Sequence, residues 1–326
     1  MNPPPRYRTL SSWLKSVFGE PVRKISIDAG LGCPNRGAPG RNGCIYCNSR
    51  GSGTGAFSQG LSIGEQIDRG IAFLSQRYGT KKFIGYFQSF TNTYGPPNRL
   101  RALYAEALAR PEVVGLAIGT RPDCVADETL DMIAELAQNR LIWMEYGLQS
   151  VHDRTLELIK RGHQSAEFFD ALQRTRKRNL PVVVHLILGL PGETLEDMIE
   201  TAKAVATAGV QGVKLHPLYV VRGTELAQLY EKGEYEPLSE EDARKAIMAV
   251  LRVLPPDVVV HRLTSDPHPE ELVAPSWMLD RRKVRNDLLK EMDAVGFRQG
   301  ALFDGLLGII RSPGCFPVAM CEATGK

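Results

Sequence analysis

Residues 182–220 read VVVHLILGLPGETLEDMIETAKAVATAGVQGVKLHPLYV: an apolar β-branched run, a turn, an amphipathic segment of helical period closed by Gly209, and a second apolar run. Strand, helix and strand in that order make a βαβ unit. The pattern extends toward the N-terminus, with apolar runs at 24–30, 82–89, 113–120 and 142–150. The gaps hold amphipathic segments such as SIGEQIDRGIAFLSQRYG at 62–79. Six strands alternating with helices imply a parallel sheet wrapped by helices. The expected architecture is α/β, a partial (β/α)6 barrel of the TIM type, with an open doubly wound sheet as the alternative.

Outside these strands, YRTLSSWLKSVFG (7–19) has helical spacing and ends at Gly19, and LSEEDARKAIMAVLRVL (238–254) and RRKVRNDLLKEMDAVG (281–296) read as helices. DVVVHRLT (257–264) reads as a further strand. The expected partition is a basic helical extension at 1–23, the barrel at 24–222, an α/β extension at 223–300 and a tail of unassigned structure at 301–326.

A chain of 326 residues and 36.0 kDa, 43% hydrophobic and 24% charged, is globular in composition. It has no apolar run of membrane length and no secretory signal, so a cytoplasmic location with no membrane partner is expected. The net charge of +3 says little about nucleic acid. Its distribution says more, because Arg6, Arg8, Lys15, Arg23 and Lys24 face only Glu20, and RTRKRN clusters Arg174, Arg176, Lys177 and Arg178. Together the runs permit a phosphate-binding surface, although each run by itself reads first as a solvated helix face.

Three of the six cysteines lie in CPNRGAPGRNGCIYC, residues 33–47, a stretch with no apolar period. In a reducing compartment such thiols serve metals or redox chemistry rather than disulfides. Cys33, Cys44 and Cys47 are one ligand short of a structural zinc site, and no histidine lies in the loop. On a four-iron cluster three thiolates leave one iron open for work. A zinc completed by Cys124 is the alternative.

The loop DAGLGCPNRGAPGRNGCIYCN, together with YFQSFTNTY, GTRPDC, EYGLQS, KRGH, GLPGET and GTEL, resembles the radical S-adenosylmethionine (SAM) enzymes. More narrowly it is similar to the radical domain of the Elongator catalytic subunit and to the single-domain bacterial YhcC/YtqA-like family. The resemblance implies a [4Fe–4S] cluster on Cys33, Cys44 and Cys47, SAM, and an external reductase such as flavodoxin or ferredoxin. It places Tyr46 against the adenine, Gln88 and Ser89 where many relatives carry Gly-Gly-Glu, and Thr120 near the ribose. Gln149 and Arg161 match residues that hold SAM, and His185 stands where an acidic contact is common. Lys214, His216 and Asp123 are the catalytic, substrate-side candidates, with Tyr94, His261 and Arg262 near the same face.

The implied substrate is tRNA, at the side chain on carbon 5 of the wobble uridine, through conversion of carboxymethylaminomethyl-uridine to aminomethyl-uridine. Unpaired loop bases would stack on aromatics such as Tyr94 or Trp277. The alternatives are a radical enzyme acting on a small metabolite or protein side chain, and a non-enzymatic iron–sulfur or zinc protein.

Overall fold

The computed structural model describes residues 6–37, 42–48, 51 and 59–303. Its first half runs α1 (Leu10–Phe18), β1 (Val22–Ile27), α2 (Ile63–Tyr78), β2 (Lys82–Phe87), α3 (Pro97–Leu108), β3 (Val113–Thr120), α4 (Asp127–Leu136) and β4 (Leu141–Gln149). Then come α5 (Asp153–Leu158), α6 (Ser165–Arg176), β5 (Val182–Leu188), α7 (Leu195–Ala208), β6 (Gly212–Pro217) and β7 (Val220–Val221). The last elements are α8 (Glu225–Glu231), α9 (Glu240–Val253), β8 (Val259–Arg262), β9 (Leu272–Ala274) and α10 (Arg281–Ala294). Most of the tail, residues 304–326 with Cys315 and Cys321, lies outside the described residues.

The helix boundaries follow from capping. Ser62 and Glu65 close a capping box at the start of α2, and Thr194 and Asp197 do so for α7. Gly79 and Gly209 end these helices at φ 65° and 77°, left-handed values that suit glycine.

Seven strands form one parallel sheet in the order β1-β2-β3-β4-β5-β6-β8. The sheet is curled. Strands β2 and β6 stand four places apart, about 19 Å on a flat sheet with the usual spacing near 4.8 Å, yet Lys214 Nζ on β6 reaches the Tyr86 hydroxyl on β2 at 2.6 Å. This is the expected half-barrel with one strand more than six. The extra strand is β8, so the segment assigned to an α/β extension completes the sheet and, through α9, its outer layer. Alternation along the strands sorts residues between two faces. Ile142, Met144 and Tyr146 of β4 join Val184, Leu186 and the helices in the main core, whereas Trp143 and Val183 face the hollow.

The N-terminal helix is no free appendage. Leu10, Trp13 and Leu14 of α1 are buried against Trp143, Val183 and Val259 on the concave side. Thr9 pairs with Val260, so α1 closes the floor of the half-barrel where the strands begin. The opposite end, where the strands terminate, stays open.

Candidate active site at the mouth of the half-barrel

At that open end a cavity of about 570 Å³ carries Cys33, Cys44, Cys47 and Tyr46 on one side. Gln88, Thr120, Gln149 and Arg161 line its middle, and His185, Lys214 and His216 its far wall. Five sequence candidates fall outside: Ser89, Asp123, Tyr94, Trp277 and His261. Ser89 is buried with its Oγ unbonded and does not reach the cavity. Asp123 is corrected from a substrate-side group to a support: both its oxygens are taken by Arg121, at 2.9 and 2.8 Å. Arg121, which the sequence reading passed over, lines the cavity itself and donates to the carbonyls of Arg161 and Gly162. Tyr94 is half-exposed away from the cavity, Trp277 donates its indole N–H to Leu238 O, and His261 is buried against Trp143.

The cysteine loop is pinned to its surroundings. Asn35 donates to Lys160 O at 2.7 Å, Ile45 N to Ile159 O at 3.1 Å and Leu226 N to Ile45 O at 2.9 Å. Gly43 has φ +91°, and a Cβ there would stand 2.7 Å from the Arg36 side chain that reaches Cys47 O. Cys44 Sγ lies 3.6 Å from both Arg161 Nη1 and Asn35 Nδ2. Burial pushes the Cys44 thiol up, but Arg161, with Tyr46 and Arg121, outweighs it and brings the pKa below the ordinary thiol value. At Cys47 burial prevails over Arg36, and the pKa is raised.

These thiols fit a cluster better than one ion. Among the described residues only His152, Asp197 and Glu200 bring three metal-type donors within 4.8 Å of one another, so the three sulfurs are more widely spaced than ligands sharing a single metal. Thiolates of an iron–sulfur cluster bind different irons and need that wider spacing. Cys124, the fourth ligand of the zinc alternative, lies outside the cavity, and burial followed by Asp123 pushes its thiol up to about 12.

Beside the cysteines, Gln149 holds φ 77°, a strained value for a residue with a side chain, and its Oε1 is buried without a partner. Arg161 donates through Nη2 to Gly147 O at 2.7 Å, while its buried Nε has no partner. An amide oxygen and a guanidinium N–H left unsatisfied beside one another suit a ligand that carries both an ammonium and a carboxylate. SAM has that pair of groups.

The far wall centres on Glu145, a fully buried carboxylate absent from the sequence candidates. Its Oε2 accepts from His185 Nε2 at 2.7 Å and from Lys214 Nζ at 3.3 Å, and its Oε1 accepts from Trp143 Nε1 at 3.0 Å and lies 3.6 Å from Lys24 Nζ. Burial would raise the Glu145 carboxyl, but Lys214, Lys24 and His185 hold it well below the usual range. Burial, reinforced by Lys24 and Arg262 and opposed by Glu145, brings Lys214 down to about 7. Burial and then Lys214 lower His185 to about 4, and burial and then Arg262 keep His216 neutral. Glu145 on β4 and Lys214 on β6 stand on one face of the sheet with β5 between them. The signal for Glu145 was a carboxylate of the same parity as Gly147 and Gln149 in an otherwise apolar strand.

Residues 30–205 match the Radical SAM superfamily and residues 210–294 the Radical SAM C-terminal domain. The chain is 39% identical over 302 residues to the uncharacterized protein YtqA of Bacillus subtilis, covering 92% of this chain and 94% of that one. It is 32% identical over 161 residues to a tRNA uridine(34) acetyltransferase of Methanocaldococcus infernus, covering 48% of this chain and 30% of that protein. The solved structure of the Methanocaldococcus infernus Elp3 lacking its N-terminus superposes with a TM-score of 0.68 at 21% identity, over 90% of this chain and 69% of that one. That superposition bears on the fold alone.

Proposed function

This chain belongs to the radical SAM superfamily, whose enzymes use a [4Fe–4S] cluster and SAM, and from that premise we propose that it modifies tRNA at carbon 5 of the wobble uridine. The specific reaction proposed is conversion of carboxymethylaminomethyl-uridine to aminomethyl-uridine, in the cytoplasm, with flavodoxin or ferredoxin as reductant. When bound, the cluster and SAM supply a 5′-deoxyadenosyl radical by one-electron reductive cleavage, able to take a hydrogen atom from substrate. The carbon between amine and carboxylate loses a hydrogen atom to the radical and one electron back to the reductant's side, and the amine loses a proton. Water cleaves the resulting imine, releasing the two-carbon acid as glyoxylate.

This chain's residues divide the remaining work. Cys33, Cys44 and Cys47 hold the cluster, with Arg161 favouring the thiolate at Cys44. Gln149 and the free N–H of Arg161 take the amino and carboxylate groups of SAM, with Tyr46 against the adenine, Thr120 near the ribose, and Gln88 and His185 completing the pocket. Lys214, His216 and Arg262 face the substrate.

The observation that carries the reading is the far wall. Lys214 and Arg262 both line the cavity, Lys214 Nζ 3.3 Å from the buried Glu145 and Arg262 3.8 Å from the more exposed Asp266. A guanidinium such as Arg262 on the cavity wall can fork onto a substrate carboxylate, and a carboxymethylaminomethyl group brings one. The tRNA assignment draws on the partial likeness to tRNA uridine(34) acetyltransferases. Mass spectrometry of tRNA nucleosides from cells with and without the gene tests it. The expected result is loss of aminomethyl-type uridine and accumulation of the carboxymethylaminomethyl form. An unchanged nucleoside profile overturns it in favour of a small-molecule or protein substrate.

A further inference from the structure

Part of each basic run singled out in the sequence is neutralised within the fold. Arg6 pairs with Asp293, Arg174 with Asp170 and Asp127, and Arg178 with Asp127 and Asp131. Among the described residues Arg23 of the first run has no such partner, whereas Lys24 of that run turns to Glu145. Between the first and last strands of the sheet, β1 and β8, a second cavity of about 300 Å³ is lined by Arg23, Lys24, Arg262 and Arg285 and by no carboxylate. Arg262 also lines the main cavity, so this groove adjoins the active site.

The basic surface continues onto α2. Arg23 lies 3.9 Å from the centre of the Tyr78 ring, and Arg77 lies 5.4 Å from the same ring and 5.8 Å from that of Phe73. Tyr78 is 46% exposed and Phe73 56%. Arg69, Phe73 and Arg77 recur every four residues, which places them on one stripe of the helix. Among the described residues, none of Arg23, Arg69, Arg77 and Arg285 has a carboxylate within ion-pair distance. A helix face meant only for water does not expose two large aromatics between arginines.

We propose that this groove and the α2 stripe form one docking surface for a single-stranded RNA loop. Phosphates lie along Arg23, Arg77 and Arg285, and unpaired bases stack on Tyr78 and Phe73. Guanidinium groups suit phosphate oxygens, and exposed aromatic rings accept splayed bases regardless of sequence. The inference rests on the reading of tRNA as substrate and names the surface that receives it.

Fluorescence anisotropy of the cluster-loaded full chain with a labelled anticodon stem-loop, over a range of salt, tests the surface. In the Arg23→Ala, Arg77→Ala, Arg285→Ala triple variant, the slope of log affinity against log salt falls in magnitude by about 2, at about 0.7 per lost single-strand contact. Phe73→Ala with Tyr78→Ala weakens binding about thirtyfold or more with the slope unchanged. Lys177→Ala with Lys232→Ala leaves both as in the parent. If the parent binds with a salt slope and both surface variants match it, the surface is wrong and the tRNA reading stands. If the parent shows no salt-dependent binding, the tRNA reading itself fails, as it does if acidic protein or anionic vesicles compete equally with RNA. Should the triple variant lose its fold by circular dichroism, the aromatic pair decides.

Discussion

Arg161 reaches its position because Gly147 leaves room for it. A Cβ on residue 147 would stand 2.6 Å from Arg161 Nη2 and 2.7 Å from Gln149 Nε2, both ends of movable side chains. Gly147→Ala therefore displaces the proposed SAM contacts without disrupting the strand. Arg161→Ala, which loses a charge-assisted pair, costs about 1.5–3 kcal/mol, or about one to two decades in dissociation constant. Calorimetric titration with SAM is expected to show a similar loss in Gly147→Ala, with the iron content retained. Unchanged affinity in both variants refutes the assignment.

Lys214 sets a pH dependence. An ordinary lysine titrates near 10.5 and Lys214 near 7, so between these values the unfolded chain binds a proton that the folded chain does not. Stability then rises with pH across that window. The melting temperature of the parent relative to Lys214→Met is expected to climb from pH 7 to 9.5, and a flat difference contradicts the burial argument. At this scale the sequence was legible where residue type and spacing alone define chemistry, as with Cys33, Cys44 and Cys47. It was opaque where a role depends on partners from distant strands. Glu145 meets Lys214 and Lys24 only because the sheet curls, and both oxygens of Asp123 are taken by Arg121.

Among the elements, the strands and capped helices of the barrel could be read from the chain because hydrophobic period and terminal glycines act locally. The roles of α1 and β8 could not, since what each packs against is non-local. The apolar face of α1 is built for the barrel floor, where Trp13 is 5% exposed among Leu14, Trp143 and Val259. Trp13→Ala is expected to cost about 3–5 kcal/mol through the cavity it opens, seen as a lower denaturation midpoint in guanidinium with the slope preserved. A cost under about 1 kcal/mol shows that α1 contributes little to the barrel floor.

Over the whole molecule, α1 and the seven strands close one end of the half-barrel and concentrate the chemistry at the other. No helix among the described residues is long and apolar enough to cross a membrane. The central claim is that Cys33, Cys44 and Cys47, facing Gln149 and Arg161 across one cavity, make a centre that cleaves SAM. Its most direct test is to reconstitute the chain anaerobically, reduce it with SAM present, and quantify iron together with 5′-deoxyadenosine. The account predicts about four irons per chain and 5′-deoxyadenosine formation. Both should be lost in Cys33→Ala, Cys44→Ala and Cys47→Ala and kept in Cys124→Ala. A Cys44→Ala protein that keeps its full iron content and still releases 5′-deoxyadenosine contradicts it.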